Sequence, residues 1–176
     1  MLSRVANSIY WLGRYLERAE NYARFIDVNF NLMQDLPVDL KEQWHPLIAA
    51  TGDLALYEKK CTGYERNQVL FFLGFDAENP NSMLSTIKNA RENARIIREN
   101  LNKETWEKAN ELYYMMQEGL EKKVWKKEDP RPFFEKVKNQ ILLIYGIADS
   151  SVARIEGWYF RQLGQYLERA DKTSRI

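Results

Sequence analysis

The sequence predicts an all-α protein, a helical bundle of about five to seven helices whose long first and last members carry an internal repeat. Three observations lead there. Apolar residues recur at alternating spacings of four and three over long stretches, which draws one stripe along a helix. Helix formers such as Glu, Lys, Arg, Leu and Ala are plentiful, whereas eight Gly and five Pro in 176 residues are few. No segment shows the alternation of a half-buried strand.

The first helix carries the longest stripe: Val5, Ile9, Leu12, Leu16, Ala19, Ala23, Ile26, Phe30 and Met33. It should run from about Leu2 to Asp35 and stop before Pro37, because proline disfavours a helical residue before it. Its length would be about 50 Å at 1.5 Å per residue. "WHPLIAATG" predicts a short helix with Pro46 in its first turn and Gly52 just past its end. "YERNQVLFFLGF" predicts another over about Tyr64–Leu73. In "NPNSM", Pro80 stops the chain and Asn81 or Ser82 can cap the next helix, whose stripe is Met83, Ile87, Ala90, Ala94, Ile97 and Leu101. Asn102 is placed to cap a helix through "TWEKANELYYMMQEGL", and "EDPRP" is a charged turn. One helix then covers about Phe133–Ile147, and the last starts near Asp149–Ser151 and runs to the end. Short connectors make neighbours antiparallel.

Composition narrows the function. A net charge of +1 and a pI near 7.7 give no basic excess for nucleic acid. The single Cys61 cannot form an internal disulfide. The start, "MLSRVANSIYW", has charge inside its apolar pattern and is no signal peptide. The longest apolar run, "ILLIYGIA", falls short of the roughly 18–20 residues of a membrane helix. A soluble cytoplasmic protein without membrane contact is expected.

"LGRYLERAENYAR" from Leu12 returns as "LGQYLERADKTSR" from Leu163. On a helical wheel, Glu17 and Arg18 sit on opposite flanks, about 130° from the stripe of Leu12, Leu16, Ala19 and Ala23 at roughly 100° per residue. Core packing therefore does not explain why both recur as Glu168 and Arg169. Gly13 lies one turn before Glu17, and Gly164 one turn before Glu168. Glycine inside a helix costs about 1 kcal/mol relative to alanine, so its double use implies that a helix or a ligand approaches closely there. One reading makes Glu20–Arg24 and Asp171–Arg175 ordinary i,i+4 pairs, with Glu17, Arg18 and their copies solvated or structurally paired. The other sets the two helices side by side around a pseudo-symmetric site, Glu17 facing Arg169 and Glu168 facing Arg18 along a polar groove.

Other chemistry is thinly signalled. Glu42-x-x-His45 has the spacing of carboxylate di-metal bundles, but these need two such motifs and the chain has one His; no metal is expected. No nucleophile set can be built around His45, and Cys61 suits a buried small residue. There is no Gly-rich phosphate loop, hence no sign of a nucleotide or other cofactor. "NARENARIIREN" sets Arg91, Arg95 and Arg98 on one helix face with Glu92 and Glu99 interleaved, either a solvated face or an anion-recognising one. "RIEGWYF" places Arg154, Glu156 and Trp158 before the second phrase, with Trp158 either core or docking anchor.

Four blocks, "MLSRVANSIYWLGRYLERAENYARFIDV", "FDAENPNSMLSTIKNARENARIIREN", "ETWEKANELY" and "RIEGWYFRQLGQYLERADKTSRI", resemble the bacterial alpha-E family, an all-helical domain named for a Glu-Arg motif. The resemblance is spread in order over nearly the whole chain and is weakest over about Leu36–Leu73 and Gly119–Pro132. It implies an all-α fold and a cytoplasmic bacterial protein. It also implies the company of circularly permuted ATP-grasp proteins and, second to these, transglutaminase-like proteins, in making or modifying peptides. It marks Glu17–Arg18 and Glu168–Arg169, the block Arg91, Glu92, Asn93 and Arg95, and Glu156 with Trp158. Family members usually continue beyond the second motif, so the chain is expected to be one domain over 1–176 whose C-terminal part is incomplete.

Two functions follow as expectations. The first is a non-catalytic helical partner of an ATP-grasp system, binding through Gly13, Glu17, Arg18, Arg24, Arg91, Glu92, Asn93, Arg95, Glu156, Trp158, Gly164, Glu168 and Arg169. The second is an enzyme using Glu17 and Glu168 as acid and base while arginines hold an anionic substrate.

Overall fold

The computed structural model describes residues 1–35, 44–151 and 156–175. Among these are eight α-helices and no strand: α1 (Ser3–Asp35), α2 (His45–Thr51), α3 (Leu54–Lys60), α4 (Arg66–Gly74), α5 (Met83–Ile96), α6 (Lys103–Glu121), α7 (Arg131–Ser151) and α8 (Glu156–Thr173).

Helices α1, α5, α6 and α7 form a four-membered ring in which each packs on the next, and α8 lies along the outside of α1. Directions follow from the pairs that meet. Lys138 reaches Asp27 and Tyr145 reaches Glu17, so α7 runs antiparallel to α1. Met1 lies beside Glu156 and Tyr22 beside Lys172, so α8 runs parallel to α1. The α1 stripe of Ile9, Leu12, Leu16, Ala19, Ala23 and Ile26 is buried and meets the α5 stripe of Met83, Ile87, Ala90 and Ala94. Of the short helices, α2 packs on α1 and α3, and α4 on α1 and α5; just after α4, Phe75 touches Trp125, Phe133 and Phe134 in an aromatic cluster.

The local signals act as their chemistry requires. The Ser82 hydroxyl accepts from the Ser85 N–H at 3.2 Å, and the Asn102 carboxamide accepts from the Thr105 N–H at 2.7 Å; both satisfy donors that a helix start leaves open. Gly52 ends α2 at φ +82°, a left-handed conformation favouring glycine. Three boundaries differ from expectation. The short α3 has no stripe long enough to show in the sequence, and it makes the count eight rather than five to seven. The α5 helix ends at Ile96 and tightens into a 3₁₀ turn over Arg98–Asn100, which still keeps Ile97 buried. The α7 helix continues past Ile147 to Ser151, and α8 begins only at Glu156. Asp149 and Ser150 resemble helix-starting residues, but they form the last turn of α7: Ser150 bonds back to the Ile147 carbonyl, and the Asp149 carboxylate receives Trp158 and Arg161 from α8. Glu42 and Arg154 lie outside the described residues.

Candidate functional site

The repeated phrase builds the seam between α1 and α8. A Cβ added to Gly13 would fall inside the Arg161 carbonyl and stand 3.3 Å from the Gln165 nitrogen; one added to Gly164 would fall inside the Tyr10 carbonyl and stand 3.2 Å from the Arg14 nitrogen. These contacts exchange under the repeat, Tyr10 matching Arg161 and Arg14 matching Gln165. The two helices are thus related by a local two-fold running along them. What approaches the paired glycines is the other helix's backbone.

The charged pairs cross the same seam. Arg18 forks onto Glu168, its Nε donating to Oε1 at 2.6 Å and its Nη2 to Oε2 at 2.9 Å. Arg169 forks onto Glu17, with Nε donating to Oε1 at 2.7 Å and Nη2 to Oε2 at 3.2 Å. Both glutamates are 0% exposed. The expected reciprocal pairing is present. The expected polar groove is not, because the glycines let the helices close over the carboxylates. For the same reason neither glutamate belongs to an open docking surface.

The surroundings of the two pairs differ. Glu168 also accepts from Arg14 Nε at 2.8 Å and has Lys172 Nζ at 4.0 Å. Arg18 passes the network on: its Nη1 donates to Asn81 Oδ1 at 2.6 Å, Asn81 Nδ2 to Asp53 Oδ1 at 2.7 Å, and the Tyr22 hydroxyl to Asp53 Oδ2 at 2.5 Å. Lys172 is tied to the Thr51 carbonyl at 2.9 Å. Among the described residues, the Glu17 carboxylate is met by Arg169 and the Tyr145 hydroxyl, the latter donating at 3.3 Å. The Arg169 side chain is 50% exposed, that of Arg18 only 15%.

Titration follows the environment. Burial pushes the Glu168 carboxyl up, but hydrogen bonding to Arg18 and the charges of Arg18, Arg14 and Lys172 outweigh it and hold the group below its ordinary range. Burial lowers the Lys172 ammonium. Burial first and the neighbouring carboxylate second drive the Tyr22 and Tyr145 phenols well above their usual value, beside Asp53 and Glu17 respectively. Glu168 is therefore held as an anion, which suits ion pairing and not proton donation near neutrality.

The other candidate residues lie elsewhere. Arg24 pairs with Glu20 and Arg175 with Asp171, both in the i,i+4 manner. Arg91 donates to Asn110 at 2.6 Å and lies 5.0 Å from the Tyr113 ring centroid, at the α5–α6 contact. Glu92 accepts from Arg91 and Arg95, and Asn93 bonds to the Asn89 carbonyl of its own helix. Glu156 receives the chain's terminal ammonium at 3.0 Å, and Trp158 Nε1 donates to Asp149 at 2.9 Å. Both line a cavity of about 640 Å³ with Leu2, Val5, Ile96 and Leu101. His45 stacks edge-on against Tyr64, and Cys61 is half-buried with its thiol pushed up by burial and by Asp76.

Arg14, Asn81, Asp53, Tyr145 and Lys172 belong to the seam network but were not among the expected residues. Arg14 and Lys172 had a usable signal, since Arg14 precedes Arg18 and Lys172 follows Glu168 by one helical turn on the same face. The others reach the seam through tertiary packing.

The uncharacterised protein Mb2597 of Mycobacterium bovis is 27% identical to this chain, across 94% of the chain and 21% of the relative. The uncharacterised protein Rv2567 of Mycobacterium tuberculosis H37Rv is 26% identical over the same shares. The chain spans about a fifth of the length of these relatives and no solved structure matches it. A family model described as a predicted alpha-helical domain with a conserved ER motif matches residues 1–176. The chain belongs to the Alpha-E family.

Proposed function

We propose that this domain is a non-catalytic helical accessory module of a cytoplasmic, ATP-grasp-linked system that makes or modifies peptides. The observation that carries this reading is the state of the motif: both glutamates are buried and each is matched by an arginine fork. A buried, paired carboxylate organises a fold; it has no access to a substrate. This favours the accessory reading over an enzyme working through Glu17 and Glu168. Among the described residues no helix is long and apolar enough to cross a membrane, which accords with a protein acting in solution. The relatives carry matching sequence in only a fifth of their length, as a module attached to other machinery would.

The docking surface on this reading is the α5–α6 face. Exposed Arg95, Arg98 and Tyr114 surround the half-buried Arg91 and Trp106 there, and Arg, Trp and Tyr are the side chains that most often anchor interfaces. The test is co-purification of the chain with an ATP-grasp protein encoded beside it. Arg95→Ala/Tyr114→Ala should lower capture at least tenfold while circular dichroism stays unchanged. Capture that survives this change, or no capture by the wild type, refutes the reading.

A further inference from the structure

The cavity of about 640 Å³ carries polar groups that the seam does not use. It lies at one end of the bundle, between the starts of α1, α6 and α8 and the ends of α5 and α7. Its walls are largely apolar, with Val5, Ile9, Leu12, Ile96, Leu101 and Ala148. Two polar lining residues are buried, Thr105 at 3% exposure and Arg161 at 7%. The Thr105 hydroxyl has no hydrogen-bond partner among the described residues. A helical threonine commonly returns its hydroxyl to a carbonyl one turn back. Thr105 stands in the first turn of α6, where its N–H goes to the Asn102 cap and no turn of its own helix lies behind it. Arg161 is held in place by Asp149, by Gln165 at 3.4 Å and by the Tyr145 ring at 5.7 Å. Those bonds use Nη1 and Nη2 and leave the Nε–H unspent among the described residues.

We propose that this cavity binds an apolar carboxylic acid, its carboxylate inward on Arg161 and Thr105 and its hydrocarbon body along the aliphatic walls. Both buried groups offer donors, so they call for an acceptor, and a carboxylate meets a guanidinium through charge-assisted bonds. Asp149 already meets Arg161 but is half-exposed, so water shares its charge. The acidic lining residues, Glu99 and Glu156, are exposed at the rim, where solvent screens them. An ammonium head group would instead be set against Arg161. The volume falls in the range that takes a small ligand. Buried walls and donors, rather than an open mouth, make the site, and it is independent of the α5–α6 docking face.

Isothermal titration of the full chain with decanoate, below its micellar range, tests this. The wild type should bind decanoate saturably with a Kd on the order of 10 µM, and decylamine and decanol at least about tenfold more weakly. Thr105→Val keeps the side-chain shape and removes a hydroxyl that the fold does not use. It should weaken decanoate binding about tenfold while the melting temperature stays the same or rises. Arg161→Met should abolish the preference for decanoate over decanol. A wild type without saturable binding overturns the proposal, as does equal binding of the three head groups. A Thr105→Val variant that takes decanoate as well as the wild type overturns it too, since the hydroxyl would then serve no more than a water.

Discussion

The two copies of the Glu-Arg phrase share a sequence but live in different surroundings. In α1 both faces are covered: the apolar stripe by the ring and the polar flank by α8. In α8 only the polar flank is covered, and the equivalent apolar stripe lies in the open. The same contrast holds for the carboxylates, with Glu168 held by two arginines and a lysine, and Glu17 by one half-exposed arginine and a phenol. The feature both copies share fully is the seam, made by glycine, glutamate and arginine. The motif is therefore best understood as a device for joining two parallel helices closely, with the leucines and alanines left free to meet whatever else is present.

The largest test of this contrast is to remove each glutamate. Glu168→Ala leaves Arg14 and Arg18 facing an empty pocket and should cost about 3–5 kcal/mol, whereas Glu17→Ala leaves an arginine that can turn to water and should cost only about 1–2 kcal/mol. Urea unfolding of the two variants measures the difference, and equal losses would remove the asymmetry. Glu168 also gives the pair a pH signature. Its folded pKa lies below the unfolded value, so its stabilisation is complete above that value, near 4.5, and vanishes as pH falls through the folded one. Glu168→Gln should flatten that acid limb.

A second pair of substitutions probes the stripes. Leu16→Ala opens a cavity in the ring and should cost about 2–5 kcal/mol. Leu167→Ala, at the matching position of α8, should change the stability of the monomer by less than about 0.5 kcal/mol. Thermal melts at low protein concentration compare them, and similar losses would mean that the α8 stripe is covered after all.

The smallest effects concern glycine. Gly13→Ala pushes a methyl into the Arg161 carbonyl and should destabilise by about 1–3 kcal/mol. Gly146→Ala in α7 meets nothing within 4 Å and should stabilise by up to about 1 kcal/mol. If Gly13→Ala also stabilised, the close approach of the two helices would be refuted.

Much of the fold was legible because its signals are local. The stripes of α1 and α5, the caps at Ser82 and Asn102 and the stop at Gly52 each depend on a few neighbouring residues. The short α3 and the boundary between α7 and α8 were not legible: three turns or fewer carry little periodicity, and Asp149 is used by a distant tryptophan and arginine instead of its own N-terminus. The site was half legible. Repetition of Gly13, Glu17 and Arg18 pointed to a close, reciprocal contact, yet nothing local distinguishes an ion pair lining a groove from one sealed beneath two helices.

By itself, then, the sequence determined the helices and their apolar faces, because periodicity and residue chemistry act within a few turns. It offered the pairing of Glu17 with Arg169 and Glu168 with Arg18 as one of two readings of the repeat. Only the tertiary structure decided that α1 and α8 run parallel, that Glu17 and Glu168 are closed off from water, and that one leucine stripe is core while its twin is surface. Burial is a property of what packs against a helix, and identical helices acquire different faces when the rest of the chain covers only one of them.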